Sequence, residues 1–125
     1  MKALQCIELG GPEKLVVSEV PDPIIAAEHV IIEVRSASVN FPDVLMIQGL
    51  YQFQPPLPFT PGGESAGVII EIGEGVESFK VGDKVFAATG VGGISEKILA
   101  HQSSIRLIPE EMDFEIAAAL SVTYG

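Results

Sequence analysis

Positive charge is scarce in this chain. Seven lysines and arginines stand against 17 aspartates and glutamates, for a formal net charge of −10 at neutral pH. A nucleic-acid surface needs a basic patch to displace counterions from phosphates, and none is visible, so nucleic acid is not an expected partner. The acids are scattered apart from Glu110, Glu111, Asp113 and Glu115, and their excess is read as an aid to solubility. Cysteine is nearly absent. Cys6 stands alone, which excludes an internal disulfide, and with no signal peptide at the Met-Lys start a reducing cytoplasm is the expected compartment. Lying in an apolar strand with no base nearby in sequence, Cys6 reads as a small buried hydrophobe. Histidine is limited to His29 and His101, whose separation matches no metal-ligand spacing; both are expected in surface or hydrogen-bonded structural roles.

Two further absences narrow the function. The uncharged run from Val44 to Gly63 is interrupted by Pro55, Pro56, Pro58 and Pro61 and by glutamines, which makes it a poor membrane span. A dinucleotide fingerprint is also missing. Gly73-Glu74-Gly75 continues into Val76-Glu77-Ser78, and Gly90-Val91-Gly92-Gly93 into Ile94-Ser95, so neither completes G-x-G-x-x-G between a strand and a helix.

What remains describes one β-rich domain. At 125 residues, with 47% hydrophobic and 19% charged residues, the chain can bury one modest core. Residues 2–9 and 14–20 read as a hairpin turned at Gly10-Gly11-Pro12. The longest strand, His29 to Val39, alternates Val30, Ile32 and Val34 with Glu33 and Arg35. Asn40 is a plausible N-cap for a short helix over about 41–48, with Asp43 favourable at its positive end and Gly49 as its stop. In Gly67 to Ile72, Val68, Ile70 and Ile72 alternate with Ile69 and Glu71, the pattern of a strand with one mostly buried face. Gly73-Glu74-Gly75 breaks that strand and Phe79 to Asp83 makes a second turn. Strands over 84–88, 95–100 and 104–108 follow, then Pro109 and a closing helix over 114–124 with an uncharged second half. Seven or so short strands with turn signals predict a mainly β, partly open barrel with short peripheral helices.

The block from Gly63-Glu64 through Gly67, Gly73, Gly75 and Gly82-Asp83 to Val85 resembles the signature of the quinone oxidoreductase and zeta-crystallin branch of the medium-chain dehydrogenase/reductase superfamily. Asn40-Phe41-Pro42-Asp43, Gly49-Leu50-Tyr51 and Pro55 to Pro61 resemble that branch's substrate-side loop, and Ala117 to Gly125 resembles the helix leading into its cofactor domain. These segments occur in the family's order along nearly the whole chain. The resemblance implies a GroES-like catalytic domain spanning 1–125, with a Rossmann cofactor domain absent from this chain.

The resemblance also implies a site. Asn40 corresponds to an asparagine at the nicotinamide end of the cleft, Asp43 to an aspartate near the substrate pocket, and Thr123 to a threonine beside the nicotinamide. Tyr51, amid Leu50, Phe53, Leu57 and Phe59, is the candidate for contact with substrate, since its phenol could donate to a carbonyl oxygen in an apolar pocket. Each has a plainer reading: Asn40 as a cap, Asp43 as a helix-end charge, Tyr51 as loop packing. Glu64 reads as a structural hydrogen-bonding group. Many members of the superfamily hold a catalytic zinc with a cysteine after the long strand and a histidine in Gly-His-Glu. Asn40 and Gly63 occupy those positions here, and residues 86–94 form a short link without cysteine, so no metal is expected.

The expected activity is therefore zinc-independent, NADP(H)-dependent reduction of a quinone or enone by hydride transfer. It belongs to a full-length, expectedly homo-oligomeric enzyme, this chain alone being inactive because NADPH has its main site elsewhere. Two alternatives stay open: reduction of enoyl thioesters on the same fold, and a non-enzymatic GroES-like binding or assembly module that associates through the apolar closing helix.

Overall fold

Short apolar runs punctuated by glycine and proline fold as antiparallel strands, because each run can bury only one or two turns' worth of side chains before the backbone must reverse. A computed structural model describes residues 1–10, 12–38, 47–50 and 56–109. Within them lie seven strands: β1 Lys2–Cys6, β2 Leu15–Glu19, β3 His29–Ser38, β4 Glu64–Ile72, β5 Lys84–Ala88, β6 Lys97–His101 and β7 Ile105–Leu107. The five-stranded sheet has the order β6-β3-β4-β5-β7, and β1 and β2 form a separate hairpin. The mainly β fold expected from the sequence is the fold observed.

Helix is sparse among the described residues. Short 3-10 turns cover Pro12–Lys14 and Gln102–Ser104, and Ile47 and Gln48 are helical before Gly49, which takes φ +75° and so suits the left-handed exit that glycine supplies at low cost. The remainder of the helix expected over 41–48 lies outside the described residues, as does the closing helix over 114–124.

The core forms on the inner face of the large sheet, where Val30, Ile32, Ile69, Val76, Val85, Ala87, Ile98, Ala100 and Ile105 pack together. Strand β4 corrects the face expected from its alternation. Ile69 is fully buried, whereas Ile70 and Ile72 are 38% and 37% exposed. The cause is the register with β3: Ile69 pairs with Ile32 and faces the core beside it, which turns Ile70 outward, and a bulge at Ile70, between the Ile32–Ile69 and Ile31–Glu71 pairs, interrupts the alternation beyond it. A second bulge falls on β3, where Val34 faces Gly67 and Ser36 faces Ala66, with Arg35 between.

Polar groups tie the hairpin to the sheet at one corner. The Asp22 carboxylate lies 3.0 Å from the Met1 amine and 2.8 Å from the Lys97 ammonium on β6, and the hydrogen bond from Lys97 is the main cause holding the Asp22 carboxyl below its ordinary pKa. Cys6 is fully buried, packs with Ile47 and Phe59, and has its thiol pKa raised by that burial, as a small structural hydrophobe should.

One buried hydroxyl lacks a partner among the described residues. Ser65 is 1% exposed and its Oγ makes no hydrogen bond there. An unmade bond of this kind costs about 1–3 kcal/mol, so Ser65→Ala is expected to raise stability by about 1 kcal/mol in urea unfolding. A loss of more than about 1 kcal/mol would mean the hydroxyl has a partner that matters.

Candidate active site

The site is built where three strands end together. Ser38, the last residue of β3, pairs with Glu64, the first of β4, and Glu64 pairs on its other side with Ala88, the last of β5. Sequence puts Asn40 two residues beyond Ser38. Asn40, Asp43, Tyr51 and Thr123 lie outside the described residues, so what the structure places is the strand end that leads to Asn40. Glu64 is half-buried at the centre of the frame that the three strand ends make.

Two glycine-bearing segments shape the frame. One is a strap, Thr60 to Gly63, that enters β4 from the Leu57-Pro58 cis bond and Phe59. The other is an arch, Thr89 to Ile94, that leaves β5. Five arch amides donate to strap carbonyls: Thr89 and Gly90 to Gly63, Gly92 to Thr60, Gly93 to Gly62 and Ile94 to Pro61, at 2.7–3.1 Å. Glycine is required at the closest approach. A Cβ on Gly62, whose φ is +104°, would stand 2.9 Å from the Ile94 amide nitrogen, and one on Gly93 would stand 2.8 Å from the Gly62 oxygen. On the strap's near side, Phe59 and Cys6 exchange backbone hydrogen bonds at 3.2 and 2.7 Å, so β1 anchors the strap directly.

These glycines do not form a dinucleotide cradle. The amides that could face a pyrophosphate, those of Gly90, Gly92 and Gly93, are already spent on strap carbonyls, and the arch leads into β6 instead of a helix. The glycines of the arch therefore do not fit the phosphates of a nicotinamide cofactor. Nor are three or more His, Cys, Asp or Glu side chains gathered so as to hold a metal ion among the described residues.

The histidines sit at the far end of β3 from this frame. His29 and His101 are direct partners across β3 and β6, their rings edge to face with centroids 5.1 Å apart. His29 Nδ1 lies 2.8 Å from the Ala27 oxygen, and His101 Nδ1 accepts from the Ser103 amide at 3.1 Å, capping a 3-10 turn. Their expected structural role is the one observed. Lys80 and Asp83 likewise close a turn, the Asp83 carboxylate accepting from the Lys80 amide at 3.0 Å.

Sequence reasoning did not single out the arch or its hydroxyls. Thr89 Oγ1 donates to the Val91 oxygen at 2.8 Å, and Ser95 Oγ lies 2.9 Å from the Gly92 oxygen and 3.0 Å from the Lys97 oxygen. The available signal was Gly90-Val91-Gly92-Gly93 bracketed by Thr89 and Ser95, a turn-rich run with a hydroxyl on each flank.

With the geometry established, likeness to known proteins becomes informative. Residues 26–110 match the alcohol dehydrogenase GroES-like domain. The chain belongs to that family. It is similar to the quinone oxidoreductase of Lama guanicoe, 41% identical over 126 aligned positions that span 99% of this chain and 38% of that protein. Among solved structures, a probable oxidoreductase from Mycobacterium abscessus superposes with a TM-score of 0.94 at 40% identity, covering 99% of this chain and 39% of the other. The Escherichia coli quinone oxidoreductase complexed with NADPH gives a TM-score of 0.90 at 31% identity over 95% of this chain and 36% of that one. The chain thus spans under two-fifths of each relative. The resemblance drawn from the signature block agrees with these relatives.

Proposed function

We propose that this GroES-like domain is the substrate-side half of a zinc-independent, NADPH-dependent reductase of quinones and related conjugated carbonyl compounds. The observation that carries the reading is the frame at Ser38, Glu64 and Ala88, held rigid by strap and arch, in a chain aligned over nearly its full length with quinone oxidoreductases. A flat acceptor suits the apolar loop expected around Tyr51, and Leu50 and Leu57 present exposed apolar surface on the segments that flank it.

NADPH is the electron donor in this reading, held by a second domain because the glycines here are committed to backbone contacts. The work of this chain is then to bind and orient the acceptor and to polarise its carbonyl. Tyr51 donates its phenolic hydrogen to the carbonyl oxygen, where negative charge develops as the acceptor is reduced. Asn40 stands at the nicotinamide end of the cleft, Asp43 borders the acceptor pocket and Thr123 touches the cofactor. No side chain of this set acts as a nucleophile, and no metal is called for.

Tyr51→Phe keeps the ring and deletes the donor, so in the full-length polypeptide it is expected to lower kcat for quinones about 100-fold with little change in the KM for NADPH. Unaltered turnover would remove Tyr51 from the mechanism. A panel of quinones, enones and enoyl thioesters assayed with NADPH tests the reading as a whole. Preference for thioesters would assign the domain to acyl-chain reduction, and inactivity on every acceptor would favour a binding or assembly role.

A further inference from the structure

The arch is held in an unusual way for a wall of a binding site. Its backbone is spent on the strap through five amides on one side, and on the other side Leu4 donates to the Ile94 oxygen and Glu96 to the Lys2 oxygen. Side-chain support from behind is thin. A cleft of about 270 Å³ lies against its rear, lined in part by Thr60, Thr89, Val91, Gly92 and Ser95. Gly90 and Gly92 take φ of +82° and +93° with nothing within 4 Å of where a Cβ would be, while Val91 between them packs against the Cys6, Ile47 and Phe59 cluster. A glycine-rich loop has many conformations to lose, and local side-chain bonds can add to the strap contacts in selecting one of them.

The two hydroxyls make that selection. Thr89 Oγ1 closes the first limb onto the Val91 oxygen, and Ser95 Oγ closes the second onto the Gly92 oxygen while lying within hydrogen-bond distance of the Lys97 oxygen at the start of β6. Ser95 is also the arch's point of attachment to β1, through its bridge to Ala3. One hydroxyl therefore sets the end of the arch relative to β6 as well as its internal turn.

We infer that Ser95 is a positioning residue for the reductase: by fixing the end of the arch, it helps fix the strap and hence Glu64 at the three strand ends. The inference rests on the reductase reading for its kinetic half and on the geometry alone for its structural half. Because the bond lies at the loop and away from the Val30, Ile32 and Ile69 core, its loss should loosen the arch without unfolding the sheet.

The test compares Ser95→Ala with Ser95→Thr, which keeps a hydroxyl at a half-buried position. In this chain, hydrogen exchange at the amides of Gly92, Gly93 and Ile94 is expected to quicken at least tenfold in the alanine variant, with Ile32 and Ile69 unchanged. In the full-length polypeptide, kcat for a benzoquinone is expected to fall about tenfold at constant KM for NADPH. The threonine variant should restore both. Wild-type exchange at 92–94 in Ser95→Ala would overturn the inference, as would faster exchange with kcat unaltered, or a uniform rise that includes Ile32 and Ile69. A wild-type polypeptide that reduces no quinone would overturn the reductase reading and the kinetic role together. The exchange result identifies that case, since the arch would still respond to loss of the hydroxyl.

Discussion

Gly67→Ala is expected to destabilise the domain by about 4 kcal/mol or more, a large part of the 5–15 kcal/mol that holds a typical domain together. Gly67 pairs with Val34 on β3, and a Cβ there would lie 2.0 Å from the Glu33 backbone oxygen. That atom belongs to a paired central strand and cannot swing aside as a flexible side chain would. The β3 bulge at Arg35 falls beside this contact, so the two central backbones crowd where the ladder is already irregular. Gly82→Ala is the fitting control: φ is +98° but nothing lies within 4 Å of its Cβ position, so only backbone strain of about 1–2 kcal/mol is expected. Urea unfolding of both variants measures the difference. If Gly67→Ala costs no more than Gly82→Ala, the close approach of β3 and β4 is wrong as described. Gly67 in the signature block is thus accounted for by sterics, with no chemistry assigned to it.

Ile69→Ala is expected to cost about 3–4 kcal/mol, within the range for deleting an isoleucine side chain from a packed interior. Ile69 is fully buried in the cluster with Val30, Ile32 and Val85, and its backbone is held by the Gly82 amide and the Asp83 oxygen at 2.8 and 3.0 Å. The surroundings have little freedom to collapse into the space left. Ile70→Ala, at an exposed bulge position, should cost less than about 1 kcal/mol. The pair measures the facing of β4 directly. Equal losses, or a larger loss at Ile70, would restore the face that plain alternation suggests and overturn the pairing of Ile69 with Ile32.

Much of the fold was legible because strand and turn chemistry is local. The expected strands over 84–88 and 14–20 match β5 Lys84–Ala88 and β2 Leu15–Glu19 closely, and the long strand expected over His29 to Val39 is observed from His29 to Ser38, with Val39 outside the described residues. The opening strand was expected to reach residue 9 but stops at Cys6, because its hydrogen-bonding partners end there: Cys6 bonds to Phe59, and no paired residue lies beyond it in the β1–β2 register. The facing of β4 was illegible because it depends on how β4 registers against β3, and no residue within β4 announces which of its two apolar faces turns inward. The same holds for His29 and His101, 72 positions apart in sequence (101 − 29) and opposite each other in the ladder. For the site, the motif positions could be read from the chain, whereas Asn40, Asp43, Tyr51 and Thr123 fall outside the described residues and their roles rest on the proposed reaction.

The order of apolar runs, glycines and prolines determined by itself that the chain would be a many-stranded β domain with a glycine-rich signature and no basic surface, since each of these follows from backbone freedom, burial or charge within a few residues. Only the tertiary structure decided that Ile69 and not Ile70 faces the core, that Gly67 must lack a side chain, and that Thr89 to Ser95 locks onto Thr60 to Gly63 at the mouth. Those outcomes depend on contacts between segments distant in the chain, whose register is set by the packing of the whole sheet and is carried by no segment alone.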